Sequence, residues 1–247
     1  MGEAKTNGGR LRHSSDSEPG YTRKRQGRHW AYFDENGDRV TDRDTIDRLN
    51  AIALPPAYVN AWFCKSENGH LQATGIDDRG RKQYRYHAAF RARRDKKKYN
   101  GTLEFGAALP KLRRKVASDL KKRTLSRDTV LAAVIRLLDV GYMRVGSEQY
   151  ARDNKSFGAT TLRSRHLQRK GNGLKMRFKG KSGIIHEVPI TGASLKRIVS
   201  KCDDLPGQHL FQYITEDGEA CPVTSADVND YIRVATGRDF TAKDFRY

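Results

Sequence analysis

Apolar and polar positions along the chain fall into two regimes: alternation with a period of two up to about residue 90, and a period near 3.6 beyond it. In the first stretch, HWAYF (29–33) leads through Asn36-Gly37 to DRV, and VNAWFCK (59–65) leads through Asn68-Gly69 to HLQATG. Asn-Gly suits the positive-φ positions of a tight turn, so each pair predicts a hairpin. Between them Ile46, Leu49 and Ile52 recur at helical spacing until Pro55-Pro56, which predicts one short helix. GRKQYRYH (80–87) reads as a strand with Tyr84 and Tyr86 on one face and Lys82 beside them.

Beyond residue 90 the helical period takes over. Leu112, Val116 and Leu120 line a helix predicted to begin after Pro110. Val130, Leu131, Val134, Leu137 and Leu138 line the next, with Ser126 as its cap and Gly141 as its stop. SRHLQ, Asn172-Gly173, LKMRF, the turn GKSG (180–183) and IIHEVPI predict three antiparallel strands. Leu195, Ile198, Val199 and Cys202 mark another helix. Val228, Tyr231, Ile232 and Ala235 mark a last one, with Thr224 and Asp227 spaced as a capping box and Gly237 closing it. The expected fold is α+β: a small, mostly β N-terminal domain, then a mainly α domain with an inserted three-stranded antiparallel sheet. Residues 1–20, rich in Gly, Ser and charge, are expected to be a disordered tail. Residues 21–90 form the β-rich domain, 91–110 a basic connector and 111–247 the helical domain.

Charge narrows the function. The 247 residues carry 48 Lys and Arg against 29 Asp and Glu, a net +19, which calls for a polyanionic partner. The longest apolar stretch, Val130 to Val140, is interrupted by Arg136 and Asp139 and is too short for a bilayer span. The N-terminus lacks the apolar core of a secretory signal. Cys64, Cys202 and Cys221 are too scattered for a disulfide framework or a CxxC zinc site. GKS at 180–182 is no Walker loop, because Lys175 stands where that pattern needs glycine; HExxH and GxSxG are absent. His186, on an alternating strand, reads as a structural or surface residue.

Three features remain. Gln83, Tyr84 and Tyr86 interleave with Arg81, Lys82 and Arg85; such amides and phenols either read base edges and hold a sugar-phosphate backbone or pack onto a core. Arg144, between Met143 and Val145, predicts a partly buried guanidinium that needs an anion, from a protein carboxylate or from a ligand. Lys181, at a hairpin tip, either faces water or is delivered into a groove.

Taken together, GIDDRGRKQYRYH, MRVGSEQYARDNKSFGATTLRSRHL, FKGKSGIIHE and the terminal TAKDFR closely resemble the type IB DNA topoisomerases, in the compact poxvirus-like form found in bacteria. The four blocks fall in the family's order, and the resemblance runs from about residue 20 to Arg246. It implies attack of a tyrosine on a phosphodiester, a 3′-phosphotyrosyl link held while the duplex swivels, and resealing without metal, ATP or another cofactor. By position Arg144 and Arg246 match the two catalytic arginines and Lys181 the hairpin lysine that protonates the 5′-oxygen. Lys82, Gln83, Tyr84, Tyr86, Tyr150 and Lys243 match DNA-contacting positions. The implied partner is double-stranded DNA, with no membrane, bound by a monomer in the cytoplasm at the nucleoid.

The resemblance also implies that, after KDFR, a threonine is followed by further helices carrying a catalytic histidine and the nucleophilic tyrosine. Tyr247 stands in the place of that threonine. The expectation is therefore a fragment or truncated product that lacks the nucleophile and is inactive by itself. Two other readings stay open: a non-catalytic DNA-binding protein on the same scaffold, and a tyrosine recombinase. Against the recombinase reading, Lys243 stands where such enzymes usually carry histidine.

Overall fold

The computed structural model describes residues 10–171 and 173–246 and divides into two compact units, residues 1–98 and 99–247. The first is built on a five-stranded antiparallel sheet of β1 (Gly20–Gln26), β2 (His29–Phe33), β3 (Val59–Cys64), β4 (Leu71–Ile76) and β5 (Lys82–Tyr86), in the order β2-β1-β3-β4-β5. Helix α1 (Arg43–Ala51) buries Leu49 with Tyr32, Leu54, Ala61, Phe63 and Ala73. Asp42 caps α1 by accepting from the Thr45 amide at 2.8 Å.

Strand β1 escapes the sequence reading, which starts the sheet at His29. Its seven residues GYTRKRQ hold three consecutive cations, so no apolar alternation shows. Arg23 serves as the inward side chain: its guanidinium lies 4.1 Å from the Trp30 ring centroid and donates to the Leu54 and Pro55 carbonyls at 2.8 and 2.6 Å. The Asn68-Gly69 hairpin forms as read. At Asn36-Gly37 the chain turns, but the returning side is reduced to one bridge between Phe33 and Arg39.

The disordered tail expected over 1–20 is corrected from Arg12 on; residues 1–9 lie outside the described residues. Arg12 forms a parallel bridge to Gly69. Ser14, 1% exposed, donates to the Leu71 carbonyl at 3.0 Å and accepts from its amide at 3.1 Å. Asp16 accepts from Thr74 at 3.0 Å and ion-pairs with Lys82. Small polar side chains here satisfy backbone and strand groups directly, so the segment is ordered without an apolar stripe.

The basic connector expected over 91–110 is instead part of one long helix, α2 (Ala88–Lys121), with Pro110 inside it rather than before it. A proline removes one helical hydrogen bond and usually kinks or ends a helix. Here the helical apolar spacing already begins at Phe105, which is buried with Leu112, Val116 and Leu120, so packing on both sides of Pro110 holds the helix. Gly101 and Gly106 disguised that period.

In the second unit, helix α3 (Arg127–Gly141) is buried on nearly every side, from Thr129 through Ile135 and again at Leu137 and Leu138, and forms the centre of the core. Two of its predicted ends differ. Ser126 makes no capping bond through its side chain and instead meets Thr129 Oγ1 at 3.0 Å. Gly141 is helical and the left-handed residue is Tyr142, at φ 49°. Around α3 lie α4 (Glu148–Asn154), a sheet of β6 (Leu167–Lys170), β7 (Gly173–Lys179) and β8 (Ile185–Ile190) in the order β6-β7-β8, α5 (Ala193–Asp203), a β9 (Gln212–Ile214)–β10 (Ala220–Pro222) ribbon and α6 (Ser225–Thr236). The apolar stripes read for α5 and α6 are the buried ones. The capping box forms, the Thr224 amide donating to Asp227 at 2.8 Å and the Asp227 amide to Thr224 at 3.2 Å. The fold is thus the expected α+β arrangement. Among the described residues no helix is long and apolar enough to cross a membrane.

Candidate functional site

Arg144 sits in the segment that leaves α3. Met143 is buried at 1% exposure and anchors it. The Arg144 carbonyl accepts from the Ala159 amide at 2.8 Å and the Val145 carbonyl from the Thr160 amide at 2.7 Å. Thr160 Oγ1 adds a bond to Val145 at 2.9 Å. The two segments lie so close that a Cβ on Gly158 would come within 2.6 Å of the Arg144 carbonyl, so only glycine fits there. The backbone of Arg144 is therefore clamped while its side chain is exposed. The partly buried guanidinium expected from its apolar neighbours is corrected: Met143 turns inward and Arg144 outward. Ser147 then caps α4, which presents Tyr150 at 42% exposure.

Lys181 occupies the turn between β7 and β8, as the sequence implies. The Gly180 amide donates to the Ile184 carbonyl at 2.7 Å and closes the turn. His186 stacks on Phe178 with centroids 5.2 Å apart, a structural role as expected. The Phe157 amide donates to the Lys179 carbonyl at 2.8 Å, tying the base of this turn to the loop that clamps Arg144.

Arg246 ends a short 3₁₀ turn, Asp244–Arg246. Asp244 accepts from the amide and hydroxyl of Thr241 at 2.7 and 3.0 Å, and the Ala242 amide donates to Asn229 of α6 at 3.0 Å. Phe245 packs edge-on against Phe105 at 5.0 Å. The segment before Arg246 is fixed and its side chain is exposed. Tyr247 lies outside the described residues, as does Asn172 of the predicted Asn172-Gly173 turn.

These three separately anchored segments converge. Arg144, Lys181 and Arg246 line one cavity of about 390 Å³ together with Tyr150, Lys243, Ser147 and Phe157. The same three cations also border an adjoining cavity of about 300 Å³, with Tyr142, Ile184 and His186. Among the described residues none of the three has a carboxylate partner or a side-chain hydrogen bond. Some surface cations of the unit do pair: Arg113 binds Asp139 through two bonds of 2.9 and 2.8 Å. Three unneutralised cations around one hollow repel one another unless an anion enters, so the arrangement can accept an anionic group. Nearby His166 is buried against Phe157 at 4.4 Å. Desolvation first, then the charges of Arg165 and Arg163, push its pKa down to about 4, so it is neutral and structural. Sequence reasoning missed Phe157, Ser147 and Tyr142 as walls of the site; the SFGAT loop carried the signal, by joining two candidate segments.

In the first unit, β5 is an edge strand carrying the other candidates. Tyr84 and Tyr86 share a face, with centroids 6.2 Å apart and rings 13° from parallel. They differ in role: Tyr84 is 48% exposed, whereas Tyr86 is half-buried and packs on Phe90 at 5.4 Å. Lys82 pairs with Asp16 and lies 5.9 Å from the Tyr84 ring centroid. Gln83 donates to Asp77 at 2.9 Å, which leaves its amide oxygen as the group available to a ligand. Arg81 foremost, with Gln83 and two backbone amides, holds the Asp77 carboxyl far below the usual range.

With that geometry in view, the likenesses to known proteins are specific. The family model described as eukaryotic DNA topoisomerase I, catalytic core, matches residues 87–247, and that of the bacterial DNA topoisomerase IB N-terminal domain matches residues 29–77. The chain belongs to the type IB DNA topoisomerases, a family of isomerase enzymes. A DNA topoisomerase 1B of Acanthamoeba polyphaga mimivirus is 35% identical over 219 residues, 87% of this chain and 65% of the relative. The DNA topoisomerase I of monkeypox virus and the DNA topoisomerase 1B of vaccinia virus (strain Copenhagen) are each 23% identical over 184 residues, 71% of this chain and 58% of theirs. The chain thus spans about three fifths to two thirds of these relatives. A solved structure of the XerH site-specific recombinase bound to difH substrate aligns at a TM-score of 0.36 and 16% identity, over 57% of this chain and 39% of its own.

Proposed function

We propose that this chain binds double-stranded DNA and supplies the phosphate-handling side of a type IB topoisomerase active site. In that reaction a tyrosine hydroxyl attacks a phosphodiester and expels the 5′-oxygen. The resulting 3′-phosphotyrosyl link is held while the duplex swivels, and the 5′-hydroxyl then reseals the strand, without ATP or metal. One observation carries the reading: Arg144, Lys181 and Arg246, clamped by separate segments, face one cavity, and among the described residues no carboxylate neutralises them. Negative charge grows on the non-bridging oxygens as phosphorus becomes five-coordinate, and two arginine forks can receive it. The leaving 5′-oxygen needs a proton, which the ammonium of Lys181 can give. Tyr150 and Lys243 border the same cavity and are assigned to the neighbouring backbone; Lys82, Gln83, Tyr84 and Tyr86 are assigned to bases and phosphates along the duplex.

The test is relaxation of supercoiled plasmid by the polypeptide as its gene encodes it, in EDTA and without ATP, with a denaturing gel to catch protein on a 3′ end. Salt-sensitive binding with neither relaxation nor adduct would replace this reading with a purely DNA-binding one. Within an active enzyme, Lys181→Ala is expected to slow cleavage by about a hundredfold, and a substrate with sulfur at the 5′-bridging position should restore most of the rate. Such a leaving group needs no proton, so an unrescued variant would remove Lys181 from proton transfer.

Binding is expected to rest mainly on phosphates, with log K falling about 0.9 per log unit of salt for each phosphate neutralised. Tyr84→Ala should weaken duplex binding and leave the melting temperature unchanged, because the ring is largely exposed. Tyr86→Ala should also lower the melting temperature, since it removes a packed ring. Salt-independent binding, or unfolding by Tyr84→Ala, would contradict these assignments.

A further inference from the structure

Tyr142 is the residue that the fold does not need. It follows α3 in the left-handed conformation, φ 49° and ψ 23°, where glycine is ordinarily found and a Cβ is strained. The glycine beside it cannot serve instead: Gly141 lies in the last turn of the helix, where a Cβ would come within 2.8 Å of Val188. That contact explains Gly141 but places no demand on position 142. The Tyr142 side chain is 76% exposed, and among the described residues its ring makes no aromatic or cation contact and its hydroxyl no hydrogen bond. A strained backbone and a large ring left in water return nothing to stability.

Its position is informative. Tyr142 is two residues from Arg144 and borders the cavity that Arg144, Lys181 and Arg246 share. Ile184, 60% exposed, stands on the same rim just past Lys181, and Ile185 beside it is 51% exposed. Apolar side chains held open next to three cations that are unpaired among the described residues match a ligand with two kinds of surface: a phosphate for the cations and a flat or apolar group attached to it.

We propose that Tyr142 is a substrate-positioning residue, whose ring packs against the sugar and base of the nucleotide adjoining the phosphate held by Arg144, Lys181 and Arg246. Ile184, on the rim of the same cavity, adds an apolar contact. The proposal rests on the function argued above and adds the nucleoside side of the same site.

The experiment pairs Tyr142→Gly with Arg144→Ala and measures duplex affinity across a salt series, together with thermal melting. Glycine relieves the left-handed strain, so the melting temperature of Tyr142→Gly is expected to stay level or rise. Its duplex affinity is expected to fall about tenfold, as loss of one ring contact to a nucleotide does, while the salt slope stays that of the parent because no phosphate contact is removed. Arg144→Ala is expected to make the slope shallower by about one phosphate. Displacement of duplex by inorganic pyrophosphate, which offers charge without a nucleoside, should reach the parent and Tyr142→Gly at the same relative occupancy. Tyr142→Gly binding duplex as tightly as the parent would overturn the proposal, and so would a fall in its melting temperature. A parent chain with no salt-sensitive duplex binding would overturn the underlying function instead, so the two failures are distinguishable.

Discussion

In an enzyme that carries the complete catalytic set, Arg144→Ala is expected to lower strand cleavage by about two to three orders of magnitude, with almost no change in stability. The two halves of that expectation have separate causes. The clamp around Arg144 is made by backbone carbonyls of Arg144 and Val145 and by the close approach of Gly158, none of which the substitution touches. The side chain is exposed and without a protein partner among the described residues, so its removal belongs with surface changes worth roughly half a kcal/mol or less. On the proposed function the same side chain would face growing charge in a hollow that two more cations line, and loss of one such donor raises a barrier by about 3–4 kcal/mol. Arg144→Lys keeps the charge but not the planar fork and should recover only part of the rate. Single-turnover cleavage and calorimetry on the same preparations decide it. An unchanged rate would remove Arg144 from the reaction, and a drop of several degrees in melting temperature would make it structural.

What the sequence makes legible follows from where the physics is local. The strands β3, β4, β7 and β8, the stripes of α5 and α6 and the Thr224–Asp227 box rest on spacing within a few residues, and each is present as read. Elements escape where a residue acts out of character. Strand β1 hides because Arg23 lies flat on Trp30 in the role of an apolar side chain. The start of α2 hides because Gly101, Gly106 and Pro110 interrupt a period that tertiary packing at Phe105 sustains. Segment 12–18 hides because Ser14 and Asp16 bind backbone and strand partners more than fifty residues away. The site divides in the same manner. Its cations can be named from short motifs, but their convergence depends on the Arg144–Ala159 and Phe157–Lys179 hydrogen bonds, which join segments that no local pattern connects.

Asp119 shows the same limit at a single residue and carries the largest stability effect expected here. Its spacing from Leu112, Val116 and Leu120 puts a carboxylate on the apolar face of α2, and it is 3% exposed. A buried carboxylate needs partners. Lys115 and Lys122 donate to it at 2.7 and 2.6 Å, and Tyr231, far along the chain on α6, donates its hydroxyl at 2.7 Å. Desolvation alone would raise the Asp119 pKa, but the bonds from Lys115, Lys122 and Tyr231 together hold it below the ordinary value. Desolvation, and then Asp119 itself, push the Tyr231 phenol upward. Asp119→Ala leaves the Tyr231 hydroxyl buried without an acceptor and opens a gap beside Leu120. The two lysines, 32% and 50% exposed, can turn to water. The expected loss is therefore about 2–4 kcal/mol rather than the upper end for a fully buried pair. For a protein of this size that corresponds to a fall of roughly 5–12 °C in melting temperature. Tyr231→Phe should cost about 1–1.5 kcal/mol, and adding it to Asp119→Ala should cost little more, since the orphaned hydroxyl is then gone. The pH dependence has a definite sign. A carboxyl held below its unfolded value stabilises fully above about pH 4 and loses that contribution as the pH falls through the folded pKa. The gap between parent and Asp119→Ala should thus be widest near neutrality and narrow in acid. Urea unfolding by far-UV circular dichroism at several pH values tests this. Strict additivity of the two substitutions would break the link between Asp119 and Tyr231, and a gap independent of pH would mean that the charge of Asp119 contributes nothing to the fold.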